Sequence, residues 1–176
     1  VSSPRYMMKV SENKAYVTDW GINGVQVLDL EQNKITSSIT CGLGPEGIVV
    51  SNGYAYVCNV GGWGLDNTVT VINVLTDEVE ATITVGDKPS SAVADANGDI
   101  WVLCGGYTEY DQSDWSIISQ TAGSLVRINN TGIEASYSFD VGNSPKNLRI
   151  NDVGTKLYFS AGIWPKSVFS MNIADS

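Results

Sequence analysis

Apolar and polar positions alternate with a period of two along most of this chain, in short runs separated by small polar residues. VQVLDL (25–30), TVTVINV (68–74), SLVRIN (124–129) and SVFSMNI (167–173) show the pattern most plainly. Such alternation gives a strand one inner and one outer face. Stripes with a helical period are missing. Val, Ile, Thr, Tyr and Trp recur in the runs, and branched and aromatic side chains suit a pleated, half-buried surface.

The runs repeat. Pro4, Pro45, Pro89 and Pro145 each precede a short apolar strand, at spacings of 41, 44 and 56 residues. A four-stranded propeller blade takes about 40–45 residues. After each proline-led strand comes a turn of small or polar residues: Ser11 to Lys14, Ser51 to Gly53, Asn97 to Asp99, and Asp152 to Thr155. Such residues favour hairpins. Second strands follow as AYVTDWG, AYVCNVGGWG, IWVLCGGY and LYFSAGIW, each with an aromatic residue at its second position. ITSSIT, EATITVG and SYSFDVG supply fourth strands, and the last repeat shows none.

The predicted fold is therefore all-β, a β-propeller of four-stranded antiparallel blades, because no single blade of this size buries both its faces. Blades are expected at about 4–44, 45–88, 89–144 and 145–176, the last incomplete, as part of a larger seven- or eight-bladed ring. Tyr16, Tyr56, Trp101 and Tyr158 are expected to pack blade against blade. A broken ring exposes two strand edges and a blade face, so the chain studied alone is expected to associate, two copies closing a ring. Its start at Val1 rather than Met is read as a processed chain or a piece of a longer one.

Composition narrows the chemistry. A charge of −9, from 19 acidic and 10 basic residues, repels a phosphate backbone, and nucleic acid is not an expected partner. The chain has no His, which removes the commonest general base near neutral pH and the usual nitrogen ligand of zinc. Serine-histidine hydrolases and zinc hydrolases fall away, and no cofactor or metal is expected. Cys41, Cys58 and Cys104 are far apart with no C-x-x-C, so they are read as small buried hydrophobes rather than a disulfide framework. No run reaches the ~18 apolar residues of a membrane span.

The G-x-x-P entry followed by AYVT or AYVC resembles the YVTN repeat of bacterial surface-layer and YncE-like propellers. Residues 2–21, 88–107 and 144–164 look like secreted YncE-like propellers of gut Bacteroidetes. That group includes surface lipoproteins that capture cobalamin and pass it to an outer-membrane transporter. The resemblance implies a non-catalytic binding protein, secreted or held at the outer-membrane surface, with a small-molecule ligand of corrinoid type and a transporter as partner. An interaction or surface-layer propeller is the alternative, and a carboxylate-based enzyme the third reading.

In an antiparallel blade the second-to-third and fourth-to-first connections emerge at the same end, so a binding site is expected there. Four of the five Trp fall in second-to-third loops: Trp20, Trp63, Trp115 and Trp164. The same loops add Asp19, Asn23, Asn59, Asp66, Tyr107 and Tyr110. Flat apolar surfaces with polar tips suit a rigid, partly aromatic ligand or a protein, though each Trp could instead cap its own blade. Tyr107 to Gly123 is a long insertion of the kind that is either ordered or functional. Arg5, Glu46, Ser90 and Lys146 follow the repeat prolines and are placed near the channel mouth, where Arg5 or Lys146 could meet an anion.

Overall fold

Each repeat proline opens or immediately precedes the innermost strand of a sheet, a position where its missing N–H leaves no gap in the ladder. The computed structural model describes residues 1–162 and 167–175. The first sheet is β1 (Pro4–Lys9), β2 (Lys14–Asp19), β3 (Gly24–Asp29) and β4 (Lys34–Thr40), paired antiparallel in chain order. The second is β5 (Pro45–Ser51), β6 (Tyr54–Asn59), β7 (Thr68–Asn73) and β8 (Glu78–Thr84).

The third sheet starts with β9 (Pro89–Ala94) and β10 (Ile100–Cys104), then leaves the blade for a two-stranded ribbon. That ribbon is β11 (Thr108–Tyr110) and β12 (Ile117–Gln120). The chain returns to the blade as β13 (Ser124–Asn129) and β14 (Gly132–Ser138). Cys104 pairs directly with Ser124 across the base of the excursion, so the blade ladder is uninterrupted. The fourth sheet holds β15 (Lys146–Ile150), β16 (Lys156–Ala161) and β17 (Ser167–Asn172), three strands among the described residues, followed by a 3-10 turn at Ile173–Asp175.

The sheets stand side by side as blades around a hub, with β1 packed on β5, β5 on β9 and β9 on β15. The hub is tight. A Cβ on Gly47 of β5 would lie 2.7 Å from the Ser90 carbonyl oxygen of β9, so only glycine allows the two strands to approach this closely.

Period-two alternation sends each strand's side chains into two different interfaces. From β6, Ala55 and Val57 join Tyr16, Val25 and Val27 between the first and second blades. Tyr56 and Cys58 point the other way and join Val69, Ile100, Val102 and Val126 between the second and third. Trp101, Leu103 and Leu125 meet Leu157, Phe159 and Ala161 between the third and fourth. Fully burying a side chain of this class contributes about 1.5–3 kcal/mol, so the three interfaces dominate cohesion.

Of the four repeat aromatics, Tyr16, Tyr56 and Trp101 are buried between blades. Tyr158 is not: it is 39% exposed, because its face of the fourth blade looks away from the third and no sheet of the described residues covers it. Cys58 and Cys104 sit within the second interface and Cys41 beside the first, all three as free thiols. Burial pushes the Cys104 thiol up to about 11 and that of Cys41 to about 12, so neither ionises near neutral pH.

Trp101 replaces the Tyr of the earlier repeats and brings its own anchor. Its indole Nε1 donates to Asp95 Oδ2 at 3.0 Å, while the other oxygen of Asp95 accepts from the backbone N–H of Asn97 and Asp99. One carboxylate thus closes the β9–β10 turn and satisfies a buried donor. Asp95→Ala is expected to lower unfolding free energy by about 2–3 kcal/mol in denaturant titration, since it strands the indole N–H as well as opening the turn.

Candidate functional site

The first strand of every blade is bulged just past its proline. Pairing registers shift between Pro4 and Met7, Pro45 and Ile48, and Lys146 and Arg149, and opposite Ser90 in the third blade. A bulge inserts an unpaired residue and re-aims its side chain. The residues freed in this way, Arg5, Glu46, Ser90 and Asn147, all line one cavity of about 470 Å³ where the four blades converge. Four of the chain's ten Lys and Arg border it: Arg5, Lys88, Lys146 and Arg149.

Arg5 and Glu46 form a two-pronged ion pair across the first two blades, Nε to Oε2 and Nη2 to Oε1 both at 2.9 Å. The hydrogen bond to Glu46 holds the Arg5 guanidinium above its ordinary pKa, against partial desolvation. The guanidinium also lies 4.5 Å from the centre of the Trp20 ring, a distance at which cation and ring quadrupole attract. Trp20 in turn meets Trp63 edge to face, centroids 6.1 Å apart and planes at 81°.

Trp20 and Trp63 face a second cleft of about 730 Å³ with Arg5, Asn23, Leu43 and a floor of glycine backbone. Arg5, Trp20 and Gly62 border both spaces, so cavity and cleft are continuous. The floor depends on Gly44. Its φ is +57°, and a Cβ there would sit 2.1 Å from the Gly62 nitrogen. Backbone bonds from Val60 N to Gly44 O and from Gly61 N to Leu43 O lock the two loops together, and the Asn23 amide oxygen accepts from Gly44 N at 3.1 Å. Trp63 stands on this platform completely exposed.

Lys88 and Arg149 were not signalled by the repeat pattern. Lys88 precedes its proline, and its positive φ of 55° turns it into the wall, where Nζ donates to the carbonyls of Gly64 at 2.6 Å and Val60 at 3.2 Å. Arg149 reaches the cavity because the bulge at Asn147 breaks strict alternation in β15. Only the bulge, which leaves no residue signature beyond the proline, could have announced it.

Tyr107, Tyr110 and Trp115 border a separate hollow on the ribbon rather than the central cavity. Trp164 lies outside the described residues. Three further residues expected on the rim are engaged in the scaffold instead. Asp19 is buried, accepting from Ser2 Oγ, Ser3 N, Gly21 N and Gln26 Nε2. Asn59 is buried and donates to Thr68 and Thr70. Asp66 gathers the N–H groups of Leu43, Asn67 and Thr68. For the two carboxylates, backbone and side-chain donors lie closer than solvent, and for Asn59 two threonine hydroxyls accept from its amide, so each polar tip is bound within the fold instead of facing outward.

No family model and no curated protein sequence matches the chain. Solved structures do. Hydrazine synthase of Kuenenia stuttgartiensis superposes with a TM-score of 0.55 at 15% identity, over 90% of this chain and 55% of that one. The dihydro-heme d1 dehydrogenase NirN, solved in complex with DHE, superposes with a TM-score of 0.67 at 12% identity, over 97% of this chain and 36% of that one. The fold is a β-propeller. The chain spans about half, or less, of the solved chains it resembles, and identities this low carry the fold alone.

The Asp19 carboxyl is subject to opposing influences: burial raises its pKa, while the hydrogen bonds from Ser2, Ser3, Gly21 and Gln26 bring it net below the ordinary value. A carboxyl depressed in the folded state stabilises above its unfolded pKa, about 3.9, and loses that contribution as pH falls through the folded value. Asp19→Asn is therefore expected to cost about 2 kcal/mol at pH 7. The gap between the two proteins should close below pH 4 in thermal or denaturant unfolding.

Proposed function

We propose that this chain is a non-catalytic ligand-binding propeller that captures a small molecule at the mouth where the four blades converge. The observation that carries the reading is the continuity of the central cavity with the cleft under Trp63, an indole held out in full exposure by a glycine platform. Holding so large an apolar ring in water is costly, and rigid aromatic surface beside polar groups suits a ligand-binding site. Because backbone contacts preset the platform, binding would require little rearrangement.

A corrinoid is the ligand first indicated by the resemblance to secreted YncE-like propellers, and capture for outer-membrane uptake by a protein secreted or held at the bacterial surface is the role that goes with it. NirN, of similar fold, is named for a dihydro-heme d1, which makes a large flat macrocycle a sensible scale of ligand to try. The absence of His supports a binding role over an enzymatic one.

One observation favours a second reading, contact with a protein. The ribbon projects from the third blade with Tyr110, Trp115 and Ile118 exposed around one hollow, apolar surface clear of the central cavity. Patches of this kind mark interaction surfaces, and an outer-membrane transporter is the partner the capture role calls for. The two readings can hold together.

Cyanocobalamin titrated into the protein should quench tryptophan fluorescence saturably, and Trp63→Ala should weaken binding by about tenfold. No quenching beyond the inner-filter effect, together with no calorimetric heat, overturns corrinoid capture. Replacing residues 109–119 by a short turn is expected to leave ligand titration unchanged and to abolish co-purification with a transporter, as read by pull-down.

A further inference from the structure

The cations at the mouth are unevenly committed. Arg5 is neutralised by Glu46 in a closed fork. Among the described residues Lys88, Lys146 and Arg149 have no ion pair, although all three border the same cavity and Glu46 is the one carboxylate among its lining residues. In a chain of net charge −9, three cations on one cavity with no ion pair among the described residues are a local inversion of sign. At physiological salt charges are screened beyond about 8 Å, so a ligand in the cavity is governed by these neighbours rather than by the acidic surface at large.

Their environment favours an anion further. The Lys88 ammonium is held by two carbonyl oxygens, and burial lowers its pKa while the charge of Asp87 works the other way. An anion brought alongside would restore the solvation that the wall withholds. Two other donors at the cavity are unused: the Trp20 indole N–H and the Ser91 hydroxyl are buried without a hydrogen-bond partner among the described residues. Unpaired buried donors cost about 1–3 kcal/mol each, so the wall of the cavity is short of acceptors.

The adjoining cleft has the opposite character. Trp63, Leu43 and the backbone of Gly44, Gly61 and Gly62 offer a broad apolar shelf with no charge beyond Arg5, which is already paired. Polar, cation-lined cavity and flat apolar shelf meet at Trp20.

From this juxtaposition we infer that the mouth takes a flat, conjugated anion, its ring system lying on the Trp63 shelf and its phosphate or carboxylate held among Lys88, Lys146 and Arg149. The inference rests on the ligand-capture reading and gives it a chemical class. Charge selects which flat molecules stay, and the shelf selects which anions do.

Flavin mononucleotide and riboflavin isolate the two requirements, since they share one fluorescent ring and differ by a phosphate. The protein should quench flavin mononucleotide saturably and bind it at least tenfold more tightly than riboflavin in low salt. That preference should vanish in the Lys146→Ala/Arg149→Ala double variant, whose side chains are exposed at the cavity edge, and shrink on adding salt. Trp63→Ala should weaken both flavins alike. Equal affinity for the two flavins, a preference that survives in the double variant, or no saturable binding of flavin mononucleotide overturns the assignment. An unchanged affinity in Trp63→Ala removes the shelf from it. Each of these results leaves the broader capture reading to be judged by the cobalamin titration alone.

Discussion

A four-stranded sheet with two apolar faces cannot bury both by itself, and that constraint shapes the whole of this molecule. β6 shows how strictly it acts. Ala55 and Val57 are fitted to the first interface, Tyr56 and Cys58 to the second. A one-residue slip in register would exchange the two sets, setting a tyrosine where an alanine fits and an alanine where a tyrosine fills. Blade order and register are therefore fixed together. The hub follows from them, because Gly47 lets β5 approach β9 only if both sheets stand in their proper places.

The mouth is a by-product of the same arrangement. Prolines at the innermost strands are followed by bulges, and each bulge releases one or two side chains from the ladder at the point where all blades converge. The rim thus gains chemistry from positions the packing does not need. Arg5 shows the coupling: it closes the first two blades through Glu46 and at the same time covers Trp20, which supports Trp63. Cohesion between blades and shape of the cleft share one side chain.

The blade pattern was legible because it is local. Proline spacing, hairpin turns and period-two runs located the strands of the four sheets, except that the run SYSFDVG (136–142) lies four residues past the start of β14, and Tyr16, Tyr56 and Trp101 are buried in the interfaces as expected. Tyr158 carries the same local signature yet stays half open, since its burial depends on what lies beyond it rather than on its own strand. At the rim, Arg5, Trp20, Glu46, Trp63 and Lys146, all named from the repeat, border the cavity or the cleft. Asp19, Asn59 and Asp66 could not be told from ligand residues, because a loop carboxylate looks the same in sequence whether it faces water or its own backbone. Lys88 and Arg149 were hidden for a different reason: a positive φ and a bulge decide their direction, and alternation is blind to both.

The pairing of Cys104 with Ser124 sets the ribbon apart from everything else. Because the blade closes beneath it, the excursion contributes nothing to the ladder, and its length and composition are free to change without disturbing the sheet that carries it. Selection can thus rewrite what the third blade presents to its surroundings, residue by residue, while the core below stays as it was. A lineage built on this frame would diversify at that appendage first.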